Sequence, residues 1–318
     1  MRVRFWGTRG SIPVALTSAD VRDKLAQALV QASGRTFGSY EEAHAYATSE
    51  LDFNLTHTFG GHTPCVEIEA PGDEYYVCDM GSGARPFGVH VLARQARKPA
   101  TVNIFQSHVH WDHIMGFPFF GPAYVPNTKI RIHGVHDVLE EAYRLQMREP
   151  CFPVDFSRMG ASIEFRRLEP GKRYEIAGLG VTALRQHHGG DSYGYRFEKD
   201  GNILVYSTDS EHKQDNPAAF QPFVDFFRDA DLVIFDAMYS LAEAVSVKAD
   251  WGHSSNVVGV ELCQMAQVKK LALFHHEPAN DDSAIRRILK DARRLEELTR
   301  QGGGLEVTAA YDGMEIDL

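Results

Sequence analysis

The sequence predicts an α/β fold, because short apolar segments typical of buried strands alternate along its 318 residues with amphipathic segments typical of helices. An apolar content of 43% is enough to build a substantial core for such a fold. The alternation continues without an internal repeat or a low-complexity tract. We therefore expect one domain covering residues 1–318, with a helical insertion at about residues 17–51.

In the N-terminal half, apolar or alternating runs predict strands at regular intervals. These strands lie at residues 2–6, 65–69, 75–78, 101–106 and 129–133. After the first strand the periodicity becomes helical: Val21, Leu25 and Leu29 share one helical face, and Ser39 is the candidate N-cap of a second helix. We expect the insertion to be a helical hairpin, which could act as a lid or as a packing or dimerisation element.

The C-terminal half continues the same alternation. Strands are predicted at residues 162–168, 181–186, 203–206, 231–235 and 270–274, and helices at 137–147, 217–228, after residue 251 and at 282–300. Either Ser254 or Ser255 is expected to cap the helix that follows residue 251.

The composition excludes several classes of protein. There are 43 Asp and Glu residues against 33 Lys and Arg, and the formal net charge of −10 disfavours non-specific binding to nucleic acid or to an anionic membrane. Cys65, Cys78, Cys151 and Cys263 form no C-x-x-C pair, so we expect buried thiols rather than a zinc knuckle or disulfides. The N-terminus lacks the pattern of a signal peptide, and no apolar run reaches membrane-spanning length. We therefore expect a cytoplasmic protein with a small substrate.

The densest group of metal-capable side chains is the motif H-x-H-x-D-H, which directly follows a predicted strand. His108 and His110 are two residues apart, so both point the same way in an extended segment. Asp112 and His113 are adjacent, and after a turn they can face a second point. The spacing suits two neighbouring metal ions better than one.

Further candidates follow other apolar strands, where the ligands of α/β folds collect. They are His188, Asp209, His253 and His275. His187 also precedes His188, and His276 follows His275. Since neighbouring strand residues face opposite sides, only one member of each pair can be a ligand. The strand-end position favours His275, which leaves His276 to line the pocket or to hold a carboxylate.

Two more residues are expected near the site. Asp79 ends an apolar strand, where an unpaired carboxylate is costly, so we expect it to bind a ligand histidine, with a helix cap or turn as the alternative. Arg9 lies in the glycine-punctuated loop at 7–13, which lets the backbone approach a ligand closely. Arg9 could meet a phosphate there, or it could lie on a solvated turn.

These motifs resemble the metallo-β-lactamase superfamily, and within it the phosphodiesterase branch that includes the transfer-RNA 3′-processing endonucleases. In that branch the third histidine stands seven residues before the tyrosine of a G-Y-R segment, as His188 does before Tyr195. The turn Ser207-Thr-Asp-Ser210 looks like the one that carries the bridging aspartate. His253-Ser-Ser, followed later by Leu-Phe-His275, is similar to the last two motifs.

The segments 5–13, 59–65 and 273–278 look like a bacterial group of metal-dependent hydrolases termed β-lactamase superfamily I. Two departures from that group concern the substrate. His62 stands where asparagine is usual, and the insertion at 17–51 enlarges a loop that is usually short. We expect both to affect which substrate is bound.

The resemblance implies a four-layer αβ/βα sandwich and two divalent metal ions, with zinc as the default and manganese or iron as alternatives. It implies that one ion is held by His108, His110 and His188, the other by Asp112, His113 and His275, and that Asp209 bridges them. The catalytic candidates are Asp112 and His253. A hydroxide bridging the metals would attack, and His253 would protonate the leaving alkoxide unless it serves as a helix cap or in a buried hydrogen bond.

The expected function is hydrolysis of a small phosphodiester such as a cyclic nucleotide. The transfer-RNA-processing group carries a long arm between the third histidine and the bridging aspartate, but here only two short strands fit between His188 and Asp209. The alternatives are an armless RNA-processing nuclease, a hydrolase of lactones, thioesters or β-lactams, and a non-enzymatic metal-binding regulator. No stable nucleic-acid or membrane partner is expected, and the chain could form a homodimer.

Overall fold

The structure is a computed structural model that describes residues 1–96, 98–212, 217–240, 243 and 251–318. Its strands are β1 (Arg2–Gly7), β2 (Cys65–Glu69), β3 (Glu74–Cys78), β4 (Thr101–Phe105), β5 (Lys129–Gly134), β6 (Ser162–Arg167), β7 (Arg173–Ile176), β8 (Leu179–Gln186), β9 (Ser192–Lys199), β10 (Asn202–Ser207), β11 (Leu232–Asp236), β12 (Lys270–Phe274), β13 (Glu306–Ala309) and β14 (Glu315–Asp317). Its α-helices are α1 (Ser18–Gln31), α2 (Tyr40–Ser49), α3 (Phe53–Thr56), α4 (Ala84–Arg94), α5 (Trp111–Ile114), α6 (Leu139–Leu145), α7 (Gln221–Phe227), α8 (Asn256–Met265) and α9 (Asp282–Thr299).

The strands form two sheets of seven. Their orders are β14-β1-β2-β3-β4-β5-β6 and β13-β12-β11-β10-β9-β8-β7. Strands β3 to β6 run parallel in the first sheet, and β10 to β13 run parallel in the second. The carboxyl ends of the parallel strands lie along one edge of each sheet, where α/β folds place their functional side chains.

The two sheets pack face to face through a layer of large apolar side chains that includes Phe5, Phe105, Tyr195 and Phe274. Helices α4 and α6 cover the outer face of the first sheet, and α7, α8 and α9 cover that of the second. The layers are therefore helix, sheet, sheet and helix. The predicted four-layer αβ/βα sandwich is confirmed.

Most predicted strands are present with ends that differ by no more than two residues. The sequence did not predict β7, β13, β14, α3, α4 or α5. Helix α4 contains Pro86 and Gly88, which weaken a helical pattern, whereas β14 alternates acidic residues that pair with arginines of β1, as in the Arg4–Glu315 ion pair. These elements depend on their neighbours rather than on local periodicity.

Residues 17–51 contain the helices α1 and α2, and Ser39 caps α2 by accepting a hydrogen bond from the main-chain N–H of Glu42. The predicted apolar face of α1 does not pack on the sandwich: Val21, Leu25 and Leu29 are 53%, 58% and 65% exposed. Helix α1 is instead attached through polar contacts of Lys24 with His57 at the end of α3 and with Asp282 of α9. The apolar stripe in the sequence therefore predicted the helix correctly, but it did not determine whether that face would be buried.

The cysteines are buried as expected except for Cys151, which is exposed, so that expectation was wrong for this residue. Cys151 lies in the loop after α6, where no sheet covers it. None of the described helices has the length and apolar character that crossing a membrane requires.

Candidate metal centre

Seven predicted ligand residues lie together at one edge of the sandwich, beyond the carboxyl ends of β4, β8, β10 and β12. One group consists of His108, His110 and His188, and the other of Asp112, His113 and His275. Within each group the potential ligand atoms lie within 4.8 Å of one another. Each group combines two side chains from the segment after β4 with one from the second sheet.

Asp209 stands between the two groups. Its Oδ2 lies 3.7 Å from Nε2 of His108 and 3.7 Å from Nε2 of His188. Its Oδ1 lies 3.2 Å from Nε2 of His113 and 3.3 Å from Nε2 of His275. Each oxygen of this carboxylate therefore faces one of the two groups, which is the geometry of a bridging ligand.

Several ring nitrogens in the cluster lie close to one another. Nε2 of His188 lies 3.0 Å from Nδ1 of His110, and Nε2 of His113 lies 3.3 Å from Nε2 of His275. Burial, together with the neighbouring His113, holds the pKa of His108 well below its ordinary value. In the part of the chain that the structure describes, the buried Nε2 of His108 has no hydrogen-bond partner. Imidazole nitrogens that converge beside carboxylate oxygens suit divalent cations.

A buried carboxylate fixes the orientation of His113. Oδ2 of Asp79 accepts hydrogen bonds from Nδ1 of His113 at 2.7 Å, from the hydroxyl of Tyr206 at 2.7 Å and from the hydroxyl of Ser107 at 2.8 Å. Its Oδ1 accepts from Nε2 of Gln106 and from the main-chain N–H of Ser107. Because Nδ1 of His113 is bound to Asp79, Nε2 is the ring nitrogen that faces Asp209 and is left to bind a metal ion.

Backbone groups orient two further rings. Nδ1 of His188 donates to the carbonyl of Gly252 at 2.8 Å, which directs Nε2 towards the cluster. A Cβ atom on Gly252, whose φ is +84°, would lie 2.4 Å from that Nδ1. In the loop after β1, a Cβ on Gly10 would lie 2.7 Å from the ring of His275. The main-chain N–H of Ser11 in the same loop donates to Oδ2 of Asp112 at 2.8 Å.

Three site residues that lie at the end of a strand have left-handed backbones although none is glycine. The φ angles are +60° at Asp79, +36° at Asp209 and +59° at His275, and these residues lie just after β3, β10 and β12. Such conformations cost about 1–3 kcal/mol each and persist only where the surroundings hold them. Asp79 meets this condition, because five hydrogen bonds hold its carboxylate.

Asp236 at the end of β11 is a site residue that the sequence reasoning missed. Its Oδ2 accepts hydrogen bonds from Nδ1 of His253 at 2.9 Å and from the main-chain N–H of Ser210 at 3.1 Å. Burial alone would lower the pKa of His253, but the charge and hydrogen bond of Asp236, with smaller contributions from two other carboxylates, raise it to about 9. The signal was available, because Asp236 ends an apolar strand just as Asp79 does.

His253 lies between the two ligand groups. Its ring centroid is 5.1 Å from that of His188 and 5.1 Å from that of His275. It does not cap α8, since Ser255 does so by accepting a hydrogen bond from the main-chain N–H of Val258. The helix-cap alternative was therefore wrong, and one ring nitrogen remains to face the cluster while the other is bound to Asp236.

A family model described as a β-lactamase superfamily domain matches residues 79–276, which is more than half of the chain. The chain belongs to the β-lactamase superfamily. Ribonuclease Z of Oceanobacillus iheyensis is 22% identical to it over 277 residues, covering 70% of this chain and 85% of that protein.

Solved structures support the same fold. The metallo-β-lactamase fold protein YhfI from Bacillus subtilis superposes with a TM-score of 0.65 at 17% identity, covering 99% of this chain and 98% of that chain. A structure described as a new diphosphatase from the PhnP family has a TM-score of 0.60 at 17% identity and covers 100% of this chain and 97% of its own. The resemblance seen in the sequence is thereby confirmed.

Membership of the superfamily makes the chain a hydrolase of the metallo-β-lactamase fold. This fold implies divalent metal binding, and the histidine and aspartate groups described above could hold the metal. The donor set fits such an ion, because it consists of imidazole nitrogens and carboxylate oxygens.

Two residues expected to contact a ligand or the site of this superfamily member bind main-chain carbonyls instead. Nε and Nη1 of Arg9 donate to the carbonyls of Gly60, Glu277 and Asn280, and the residue is 3% exposed. The solvated turn was wrong, because the buried guanidinium joins its own loop to two others. A contact of Arg9 with a phosphate stays a prediction.

The second correction concerns His276. Its Nε2 hydrogen-bonds to the carbonyl of Ala310 at 2.8 Å, and burial lowers its pKa to about 3. It neither lines the pocket nor holds a carboxylate, so both expectations for it were wrong. His275 is the member of that pair in the cluster, and His188 rather than the exposed His187 is the member of the other.

His62 lies beside the site loop without joining either ligand group. Its Nδ1 lies 3.1 Å from the hydroxyl of Ser82, and its carbonyl accepts from the main-chain N–H groups of Thr8 and Arg9. An effect of His62 on substrate choice stays a prediction.

Replacing Asp79 with asparagine is expected to weaken metal binding about 10- to 100-fold, because His113 loses the carboxylate that orients it. Competition with a chromophoric chelator measures this affinity. Asp225→Asn is the matched control, since Asp225 is exposed on α7 and pairs with Arg228 away from the cluster. Equal metal affinities of wild type and Asp79→Asn would contradict the orienting role.

Proposed function

We propose that this chain is a phosphodiesterase that uses two divalent metal ions, with zinc as the default, to hydrolyse a small phosphodiester such as a cyclic nucleotide. His108, His110 and His188 would hold one ion, and the residues of the second group the other. The observation that carries the proposal is the placement of Asp209, whose two oxygens each face one group of three ligand atoms. A bridging carboxylate requires two ions close together.

Two such ions, when bound, would lower the pKa of a water molecule and stabilise negative charge on a phosphoryl group. The chain's own residues supply the remaining parts. The main-chain N–H of Ser11 fixes one oxygen of Asp112, and Asp79 fixes His113, so the donors are held in place before an ion arrives. Asp112 would act here both as a ligand and in positioning the nucleophile.

His253 supplies the proton that a leaving alkoxide needs. Asp236 binds Nδ1 of His253 and stabilises the charged form of the ring, so Nε2 can carry a proton and release it to the substrate oxygen. The ring lies between the two ligand groups, close to any phosphate that reaches both. This pair of residues supports hydrolysis rather than metal storage.

The phosphodiester assignment is supported by the names of the relatives, a ribonuclease Z and a diphosphatase of the PhnP family. The small size of the substrate is supported by the chain between His188 and Asp209, which β9 and β10 occupy almost completely. No long arm for gripping a structured RNA is present in that segment, which the structure describes in full. The net charge of −10 agrees with this choice.

Cleavage of RNA without such an arm is the second candidate function. It is favoured by the match to ribonuclease Z, which covers 85% of that protein. A short single-stranded end could reach the same cluster, although the acidic composition provides little attraction for a long polyanion.

A substrate panel on protein loaded with a defined metal tests the proposal. We expect turnover of bis(p-nitrophenyl) phosphate and of 2′,3′- or 3′,5′-cyclic nucleotides, and none of nitrocefin or a homoserine lactone. Cleavage of a transfer-RNA precursor in preference to cyclic nucleotides would favour the second candidate. Lactone or β-lactam hydrolysis without phosphodiester hydrolysis would refute both.

A further inference from the structure

A cavity beside α9 lies apart from the metal cluster. It has a volume of about 1090 Å³ and is bounded by residues 283–297 of α9, by residues 52–59 around α3 and by residues 308–311 at the end of β13. None of the seven ligand residues of the metal cluster is among the described residues that line it. We call this cavity the α9 groove. Its volume is sufficient for a small organic ligand.

The basic face of α9 lines this groove. Residues at the spacing i, i+1, i+4, i+7 and i+8 share one face of a helix, and here all five are cations: Arg286, Arg287, Lys290, Arg293 and Arg294. The opposite face carries the buried residues Ile285 and Ala292. Three carboxylates also line the groove, so its formal charge is positive although that of the whole chain is −10.

This concentration of charge does not help the helix itself. Lys290 lies three or four residues from each of the other four cations, and like charges at those spacings destabilise a helix. The stability of α9 therefore does not account for the pattern. An anion bound in the groove would offset the repulsion between the cations.

Two of the five cations already bind carboxylates of the groove. Nη1 and Nη2 of Arg286 donate to the two oxygens of Asp52, each at 2.8 Å. Nη1 of Arg294 donates to Oε2 of Glu297 at 3.0 Å. These two pairs use two of the three carboxylates that line the groove.

The other three cations have no carboxylate partner of this kind. Nε of Arg293 donates to the carbonyl of Val307 at 2.8 Å, which holds its guanidinium against β13. No residue that the structure describes forms a hydrogen bond or an ion pair with the side chain of Arg287 or Lys290. The third carboxylate of the groove, Asp291, balances at most one of these three charges. The groove therefore retains cations that can bind an anion.

Aromatic side chains also line the groove. The ring centroid of Phe53 lies 4.9 Å from that of Phe59 and 5.0 Å from that of Tyr311. Phe59 is buried, whereas Phe53 and Tyr311 are partly exposed. Asp52 directly precedes Phe53 and binds Arg286, so the aromatic and basic parts of the lining meet there. Apolar surface beside a few fixed polar groups is the usual composition of a small-molecule site.

We propose that the α9 groove binds a small organic anion, in which a carboxylate or phosphate group is attached to a flat apolar ring. Arg287 and Lys290 would bind the anionic group, and the rings of Phe53 and Tyr311 would contact the flat ring. This site is independent of phosphodiester hydrolysis, because no ligand residue of the metal cluster lines the described groove.

Calorimetric titration of the metal-loaded protein with 2-naphthoate tests the combination of charge and ring. We expect acetate, which lacks the ring, and 2-naphthol, which is uncharged at neutral pH, to bind at least about tenfold more weakly. In 2-naphthyl phosphate a phosphate replaces the carboxylate, so the tighter of the two naphthyl anions identifies the anionic group. The proposal would be overturned if neither naphthyl anion bound, or if acetate or 2-naphthol bound as tightly.

A charge-removing variant locates the site. Arg287→Gln combined with Lys290→Gln should lower the affinity for the preferred naphthyl anion by about tenfold or more. Its thermal midpoint should not fall, because glutamine keeps the helix propensity and relieves the repulsion along α9. Lost binding in this variant would therefore not result from unfolding.

The matched control combines Arg22→Gln with Arg85→Gln. These exposed residues of α1 and α4 do not line the groove, and the control removes the same two charges. Its affinity for the naphthyl anion should equal that of wild type. Unchanged affinity in the Arg287→Gln, Lys290→Gln variant would place the anion elsewhere, and an equal loss in the control would show a response to overall charge. Either result would overturn the assignment of the groove.

Discussion

Substituting Asp209 with alanine is expected to remove bound metal and phosphodiesterase activity together. The two oxygens of Asp209 face both ligand groups, so its loss affects both ions and leaves their charges without the carboxylate between them. Loss of a group that only orients a ligand costs about 10- to 100-fold in metal affinity or activity, and loss of a bridging ligand should cost more. Metal content by mass spectrometry and turnover of bis(p-nitrophenyl) phosphate, measured on the same sample, check this expectation.

Asp200→Ala is the matched control. Asp200 also has a left-handed backbone, with φ of +50° against +36° at Asp209, and it lies at the opposite end of β10. Placing alanine at a left-handed position should therefore lower the free energy of unfolding by a similar amount in both variants, but only Asp209→Ala removes a carboxylate from the cluster. An Asp209→Ala protein that retains two metal ions and full activity would refute the bridging role.

Substituting His253 with alanine is expected to leave the metal content unchanged and to reduce turnover about 10²- to 10⁴-fold for substrates with an alkoxide leaving group. The reason is that Nδ1 of His253 is bound to Asp236, and that His253 is not one of the six residues proposed to hold the ions. Esters of p-nitrophenol should be affected much less, because a stable phenolate leaves without being protonated. Cyclic nucleotides and bis(p-nitrophenyl) phosphate provide the two kinds of leaving group.

The comparison between substrates distinguishes an acid from other roles of His253. Equal loss on both substrates would mean that the ring positions the phosphate, and loss of metal would mean that His253 is itself a ligand, since one of its nitrogens lies within 4.8 Å of ligand atoms of His188 and Asp209. Asp236→Asn should also slow the turnover of cyclic nucleotides more than that of bis(p-nitrophenyl) phosphate, but by a smaller factor than His253→Ala. A fully active His253→Ala enzyme would refute the assignment.

The ligand cluster could be predicted from the sequence because its signals are local. Four metal-capable side chains within six residues after a strand have few structural explanations, and His188, Asp209 and His275 each follow a strand whose apolar pattern is clear. The parallel order of β10 and β12 then brings the last two to one edge. The α/β class of the fold could be predicted because apolar strands alternate with amphipathic helices along the sequence.

What could not be predicted depends on contacts between distant segments. The loop that contains Arg9 meets residues near 60 and near 278 only in the folded chain, where the guanidinium binds three carbonyls. The periodicity of α1 indicated its helix but not whether the sandwich would cover the stripe that contains Leu25. The partnership of Asp236 with His253 likewise depends on how β11 and the segment before α8 meet.

Each ligand group takes two side chains from the segment after β4 and one from the opposite sheet, so neither half of the chain carries a complete group. The first sheet alone presents only two donors of each group, and His188 and His275 complete the groups from the second sheet. Neither group is therefore complete until the two sheets have packed against each other, so metal affinity is linked to the packing of the sandwich.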